Sequence, residues 1–249
     1  MRSFALTLLL LLSTEVAAER LVPLRAIVSE SNAPPYALFD DRGFLSAGIS
    51  KDLLDALVKR SGLSLTHLPL PRGRVESWLL QDEADIACFL NPDWVENPEQ
   101  LSWSPELFST QQLLVRRSNT PGIQQMTDLF GKRIGTDRGF NYPELELLFS
   151  QQLAIRDDAN SLHSNLIRLE QQRLDVVLTV DLAYYYHQQK FGHTEFRTDT
   201  LWTEPDGVYC AFNPHQPALV EQLQQTLHQL VQDGTVAAIL QRYQPAKNQ

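Results

Sequence analysis

Three arginines stand where a guanidinium could grip an anion. Arg72 and Arg74 lie in Pro71-Arg72-Gly73-Arg74, and Arg138 lies in Asp137-Arg138-Gly139-Phe140-Asn141-Tyr142. A guanidinium offers parallel N–H groups that match both oxygens of a carboxylate, a geometry that lysine cannot reproduce. Arg74 is expected to be solvated; Arg72, with Arg138 opposite, is the stronger anion-binding candidate. Glu30 is a candidate for holding a cation. Tyr36, Phe89, Trp103, Phe140 and Tyr142, with Trp94 nearby, can sandwich a planar or apolar ligand part, and Asn91 and Asn141 add amide hydrogen-bonding groups among them. These are binding residues, with no catalytic set in their spacing. No GxxxxGK[ST] loop occurs, so no phosphate cradle of that type is expected. His67, His163, His187, His193, His215 and His228 show no paired metal-ligand spacing, so neither metal nor cofactor is expected.

The elements that must position these residues are visible as an internal echo. Residues 75–90 read VESWLLQDEADIACFL and residues 165–180 read NLIRLEQQRLDVVLTV. Each runs from a helical stretch through a polar break and an Asp (Asp85, Asp175) into an apolar run of strand length. A helix–turn–strand unit built twice predicts two similar lobes, and clefts between lobes are where small ligands bind. Strands are predicted over 24–29, 63–68, 86–90, 111–116 and 132–136, with a further one within 202–213. Helices are predicted over 50–60, 75–81, 217–232 and 236–243, with Ser50 and Thr235 as caps, and a short one begins at Thr127. Tyr184-Tyr185-Tyr186-His187 opens another helix and reads as structural. The alternation predicts α/β lobes with largely parallel sheets. In such sheets ligands meet the loops at the strands' C-terminal ends, here 30–36, 69–74, 89–97, 137–142 and 179–181.

The first eighteen residues read as an export signal. Arg2 is followed by the apolar run Phe4–Leu12, broken only by Thr7, and Val16-Ala17-Ala18 suits cleavage before Glu19. No Cys follows that position, so a lipid anchor is not expected, and no later run is long enough to span a membrane. Cleavage would remove one basic and one acidic residue, leaving the net charge at −9. That charge disfavours nucleic acid and anionic membrane surfaces as partners. Cys88 and Cys210 both fall in predicted strands; an exported protein can bridge them, and a pair of buried thiols is the alternative.

Several segments in this order resemble the bacterial extracellular solute-binding proteins of family 3, the periplasmic receptors of polar amino acid transporters. They are residues 24–63, DEADIA (82–87), LSWSPELFSTQQLLVRR (101–117), DLFGKRIGTDRG (128–139), EQQRLDVVL (170–178) and VQDGTVAAILQRY (231–243). The resemblance implies a type II periplasmic-binding-protein fold: two α/β lobes joined by two hinge strands, closing on a ligand. The crossings would fall near 109–112 and 201–205, giving lobe one as 21–109 plus 203–245 and lobe two as 110–202. Receptors of free α-amino acids in this family use an arginine where this chain has Asn97, and an aspartate where it has Val180. Asp181, one residue on, is either a replacement for that aspartate or a helix cap. Arg72 occupies a position that is usually apolar or aromatic. Glu30 matches an acidic position of lobe one.

The function so implied is capture of a small polar or anionic solute, amino-acid-like or carboxylate, by a periplasmic, monomeric, non-enzymatic receptor. Its partners would be the small-molecule ligand and a membrane permease. Ordinary α-amino acids are expected to bind weakly, since Asn97 cannot form the charged fork. Presentation of ligand to a membrane sensor is the second reading. A third is an enzyme resembling the exported cyclohexadienyl dehydratases of the same fold, with Glu30, Arg72 and Arg138 as its acid and cationic clamp.

Overall fold

The computed structural model describes residues 23–192, 195–202 and 205–244. The export-signal reading, His193 and part of the return crossing lie outside them. Among the described residues no helix is long and apolar enough to cross a membrane.

The first lobe is a sheet around β1 (Leu24–Ser29), whose residues are nearly all buried. β4 (Leu65–Leu70) and β5 (Ile86–Leu90) flank it in parallel. β13 (Asp206–Phe212) runs antiparallel to β5, and β6 (Ser102–Trp103) and β7 (Phe108–Thr110) pair with β13. A short hairpin, β2 (Leu38–Phe39) and β3 (Leu45–Ala47), leads into α1 (Ile49–Ser61). Helix α1 buries Ile49, Leu53, Leu54 and Leu57 at helical spacing and stops at Gly62, whose φ of 75° is the left-handed conformation glycine adopts freely. It packs on α6 (Pro217–Gln232), which turns Val220, Leu223, Leu227 and Leu230 inward, and on α7 (Thr235–Gln241). α2 (Val75–Leu80) precedes β5.

The second lobe has the strand order β10 (Ile155–Ala159), β9 (Arg133–Asp137), β11 (Val176–Val180), β8 (Gln112–Arg117), β12 (Phe196–Asp199). Its helices are α3 (Pro143–Ser150), α4 (Leu162–Glu170) and α5 (Asp181–Phe191). The chain passes between the sheets twice. β7 lies on β13 and β8 follows directly in the second sheet; β12 leaves that sheet before β13 enters the first.

The echoed aspartates have one job in both lobes. Asp85 accepts the backbone N–H of Arg25 at 2.7 Å, and Asp175 accepts that of Arg133 at 2.8 Å. Each thereby ties the start of its own strand to the start of the neighbouring parallel strand. Two residues beyond the helix before each stands a non-glycine residue with positive φ, Asp82 at 59° and Gln172 at 60°.

Some local expectations fail for identifiable reasons. Ser50 does not cap α1: the cap position is Gly48, and Ser50 is buried inside the first turn with its Oγ unpartnered. Thr235 is the first helical residue of α7 rather than its cap; Gly234 holds that place in a left-handed conformation, and the Thr235 hydroxyl donates to Asp233. β4 starts two residues later than predicted, because Leu24 N–H bonds to Ser64 O and the ladder begins with Leu65 opposite Leu24. The short helix after Gln125 is a 3-10 turn, Met126–Leu129.

Candidate functional site

The loops at the strand ends of both sheets converge on one cavity enclosing about 760 Å³, part of it open to solvent. The first lobe contributes Asn32, Tyr36, Phe89 and Trp94; the second contributes Asp137, Phe140, Asn141, Tyr142 and Thr179; Thr110 and Gln112 come from the crossing.

Phe89 is placed by a bulge. Cys88 pairs with Cys210 and Leu90 with Tyr209, so Phe89 is the extra residue on β5, and its φ of 64° is rare for an aromatic residue. Cys88 and Cys210 are joined by a disulfide beside this bulge, with S–S at 1.96 Å. The Phe89 ring meets Tyr36 edge-on at 5.3 Å. Thr110, which also lines the cavity, donates through Oγ1 to Asp181 Oδ1 at 2.8 Å, a contact that runs from the cavity wall to the second lobe. Burial pushes the Tyr36 hydroxyl well above the usual phenol range.

Across the cavity, Tyr142 Oη accepts the Asp137 N–H at 2.9 Å, and Arg156 lies over the Tyr142 ring while donating to the Phe140 carbonyl. These contacts hold both aromatics in place. Burial pushes the Asp137 carboxyl up to about 7; Asn165, donating to it at 3.3 Å, opposes the rise and nearby Asp158 adds to it. Gln112 Nε2 donates to Glu144 and Asp206, both at 2.9 Å, which leaves its Oε1 buried and without a partner. Burial also raises the Glu144 carboxyl, helped by Asp206.

The lobes touch around the cavity. Asn141 Nδ2 donates to the Trp94 carbonyl at 3.1 Å. Gly139, at φ 81°, faces Gly73 so closely that a Cβ there would stand 3.2 Å from the Gly73 nitrogen.

Of the residues singled out from sequence, Tyr36, Phe89, Phe140, Asn141 and Tyr142 line this cavity. Arg72 and Asn97 line a neighbouring one at the seam between the lobes. Glu30 is exposed beyond the end of β1, and Arg138 is exposed too; neither lines the cavity. Asn91 caps the turn that carries Trp94, accepting from Asp93 N and donating to Gly207 O. Trp103 packs edge-on against Tyr209 in the first lobe, its Nε1 donating to Pro98 O. Asp181 accepts from Thr110 and from Leu182 N at the start of α5, while Val180 faces the cavity. Asp137, Gln112, Thr110 and Asn32 were not singled out. Asp137 stood at the edge of a loop that was, whereas Gln112 was hidden in a strand whose inward face the sequence does not reveal.

Among the described residues no group of three His, Cys, Asp or Glu side chains could hold a metal ion. His163 Nδ1 and His187 Nε2 lie 3.0 Å apart, against Phe191, on the α4–α5 face.

A sequence model of the bacterial extracellular solute-binding proteins, family 3, matches residues 26–246. No curated protein matches the chain significantly. Among solved structures, an ancestral arginine-binding protein bound to arginine is similar with a TM-score of 0.74 at 20% identity, covering 89% of this chain and 97% of that one. The substrate-binding protein of an ABC uptake transporter from Streptococcus pneumoniae, with bound histidine, gives 0.74 at 20% identity over 89% and 92%. The periplasmic VFT2 domain of Bordetella pertussis BvgS gives 0.70 at 20% identity over 89% and 93%. At such identities the likeness establishes the type II periplasmic-binding-protein fold.

Proposed function

Because the chain belongs to the bacterial extracellular solute-binding proteins of family 3, we propose that it captures, between lobes 21–109 plus 203–245 and 110–202, a small solute with an apolar body and a cationic or hydrogen-bond-donating end. It acts as a binding protein of the periplasm, exported through residues 1–18, and hands its solute to a membrane transporter. The transporter reading draws on two fold relatives described as substrate-binding proteins of ABC transporters.

The observation that carries the ligand class is the cavity wall. Tyr36, Phe89, Trp94, Phe140 and Tyr142 surround it, and Asp137 is its one charged group among the described residues. Aromatic faces attract cations and apolar groups alike. The buried acceptor Gln112 Oε1 also requires a donor. An anion as the main occupant, the first expectation from sequence, finds no cation on this wall, since neither Arg72 nor Arg138 lies there.

The test compares 1-phenylpropylamine with 4-phenylbutanoate by thermal shift and calorimetry, using the mature protein and Asp137→Asn. The amine should stabilise the protein more than the carboxylate does, and Asp137→Asn should abolish the difference. Stabilisation by the carboxylate alone would refute the ligand class.

A further inference from the structure

Arg72 is 6% exposed, and its Nη2 is buried without a hydrogen-bond partner. No described acidic side chain forms an ion pair with its guanidinium. Phe140 covers one face, with its ring centroid 4.9 Å from Cζ. A ring face satisfies charge from above but supplies no acceptor in the guanidinium plane. Burial lowers the Arg72 pKa to about 10, so the group stays charged at neutral pH. A buried cation that can neither deprotonate nor pair costs free energy, and such groups call for a specific partner.

The surroundings show where that partner sits. Arg72 lines a seam cavity of about 710 Å³ with Gly73 and Asn97 of the first lobe and Gly139 and Asn141 of the second. Glu76 lines the same cavity, but its carboxylate is already committed. Oε2 accepts Glu96 N at 2.9 Å, and Oε1 accepts both Asn97 N and Asn97 Nδ2, at 2.8 and 2.7 Å. Glu96 is exposed. Gly73 and Gly139 bring the two backbones together without side chains between them.

We propose that Arg72 anchors an anion subsite at this seam, adjoining the aromatic cavity; the subsite takes one carboxylate or a small inorganic anion of single charge. The anion enters when the lobes part and is sealed against the guanidinium when they close. Its source is either the solute's own carboxylate, in which case the inference rests on the proposed receptor function, or a free ion that stabilises closure. Glu76 limits the site to a single negative charge, because a second would lie beside a fixed carboxylate.

The experiment uses the mature protein, Arg72→Met and Arg72→Gln. Melting is followed against acetate and chloride at constant ionic strength set with sulfate, which carries the second charge the site excludes. Calorimetry compares 3-amino-3-phenylpropanoate with 1-phenylpropylamine, which lacks the carboxylate. A saturable rise in melting temperature with acetate or chloride, absent from both variants, identifies a free ion. Binding of the amino acid about tenfold tighter than the amine, with the advantage lost in both variants, identifies the solute's carboxylate. Asp137→Asn separates this inference from the ligand-class reading: it should weaken the amine and leave any acetate response intact. The proposal is overturned if wild-type protein shows neither response, or if both variants respond as wild type does.

Discussion

Replacing Asp137 with Asn tests the electrostatics of the cavity most directly. Burial raises this carboxyl from 3.8 to about 7. A group whose folded pKa is raised contributes stability that is fully present below the unfolded value and is lost as pH rises through the folded one. The ligand-free protein should therefore lose stability between pH 4 and 7. At about 1.4 kcal/mol for each tenfold change in proton affinity, that rise sets an upper bound of about 4 kcal/mol. Asp137 is partly accessible, and screening by solvent brings the expected loss to about 2 kcal/mol. The substituted amide can still accept from Asn165 but does not titrate. Urea unfolding of both proteins at pH 5 and pH 8 should thus give a smaller fall for Asp137→Asn, and at pH 8 the variant should be the more stable. Glu144 is raised as well and leaves a residual slope in both, so the difference between proteins is the measured quantity. Parallel pH profiles would refute the assignment. A bound amine should in turn draw the proton off, so that its binding near neutral pH releases protons, visible as a buffer-dependent heat.

The echoed aspartates should differ in weight. Asp85 is buried and also bonds the Arg25 guanidinium at 2.7 Å, so Asp85→Ala should cost about 3 kcal/mol; exposed Asp175 bonds only a backbone N–H among the described contacts, and Asp175→Ala should cost about 1 kcal/mol in the same urea titration. Removing the disulfide with Cys88→Ser and Cys210→Ser together should lower stability by up to about 5 kcal/mol on the loop-entropy account, given a separation of 122 residues. The same double variant should weaken 1-phenylpropylamine, since the bulge that presents Phe89 sits beside the bridge; unchanged affinity by calorimetry would show that the bulge holds itself.

Much of the architecture is readable locally. Helix α6 matches its predicted limits because Pro217 at its start and the stripe ending in Leu230 depend only on neighbours three and four residues away. Strand β5 was legible as a short apolar run, and the two aspartates stood out because the pattern recurs. The site was legible more coarsely. The loops 89–97 and 137–142 do supply the cavity, yet within them Asn91 turns to the backbone and Phe89 turns inward through a bulge that the residue string does not announce. Asn97, chosen as the counterpart of a ligand-binding arginine, spends its amide on Glu76, twenty-one residues away.

Sequence by itself determined two α/β lobes, their repeated helix–turn–strand unit, the family and the loops facing the cleft, since periodicity and turn chemistry are set by near neighbours. Tertiary structure alone decided that Cys88 meets Cys210, that Asp137 is the charge on the cavity wall, and that Arg72 is buried against Phe140 with a nitrogen left unpaired. The reason is physical. Burial and pairing are properties of contacts made across some sixty to more than a hundred residues, and they alone determine whether a charged side chain is solvated, neutralised or waiting for a ligand.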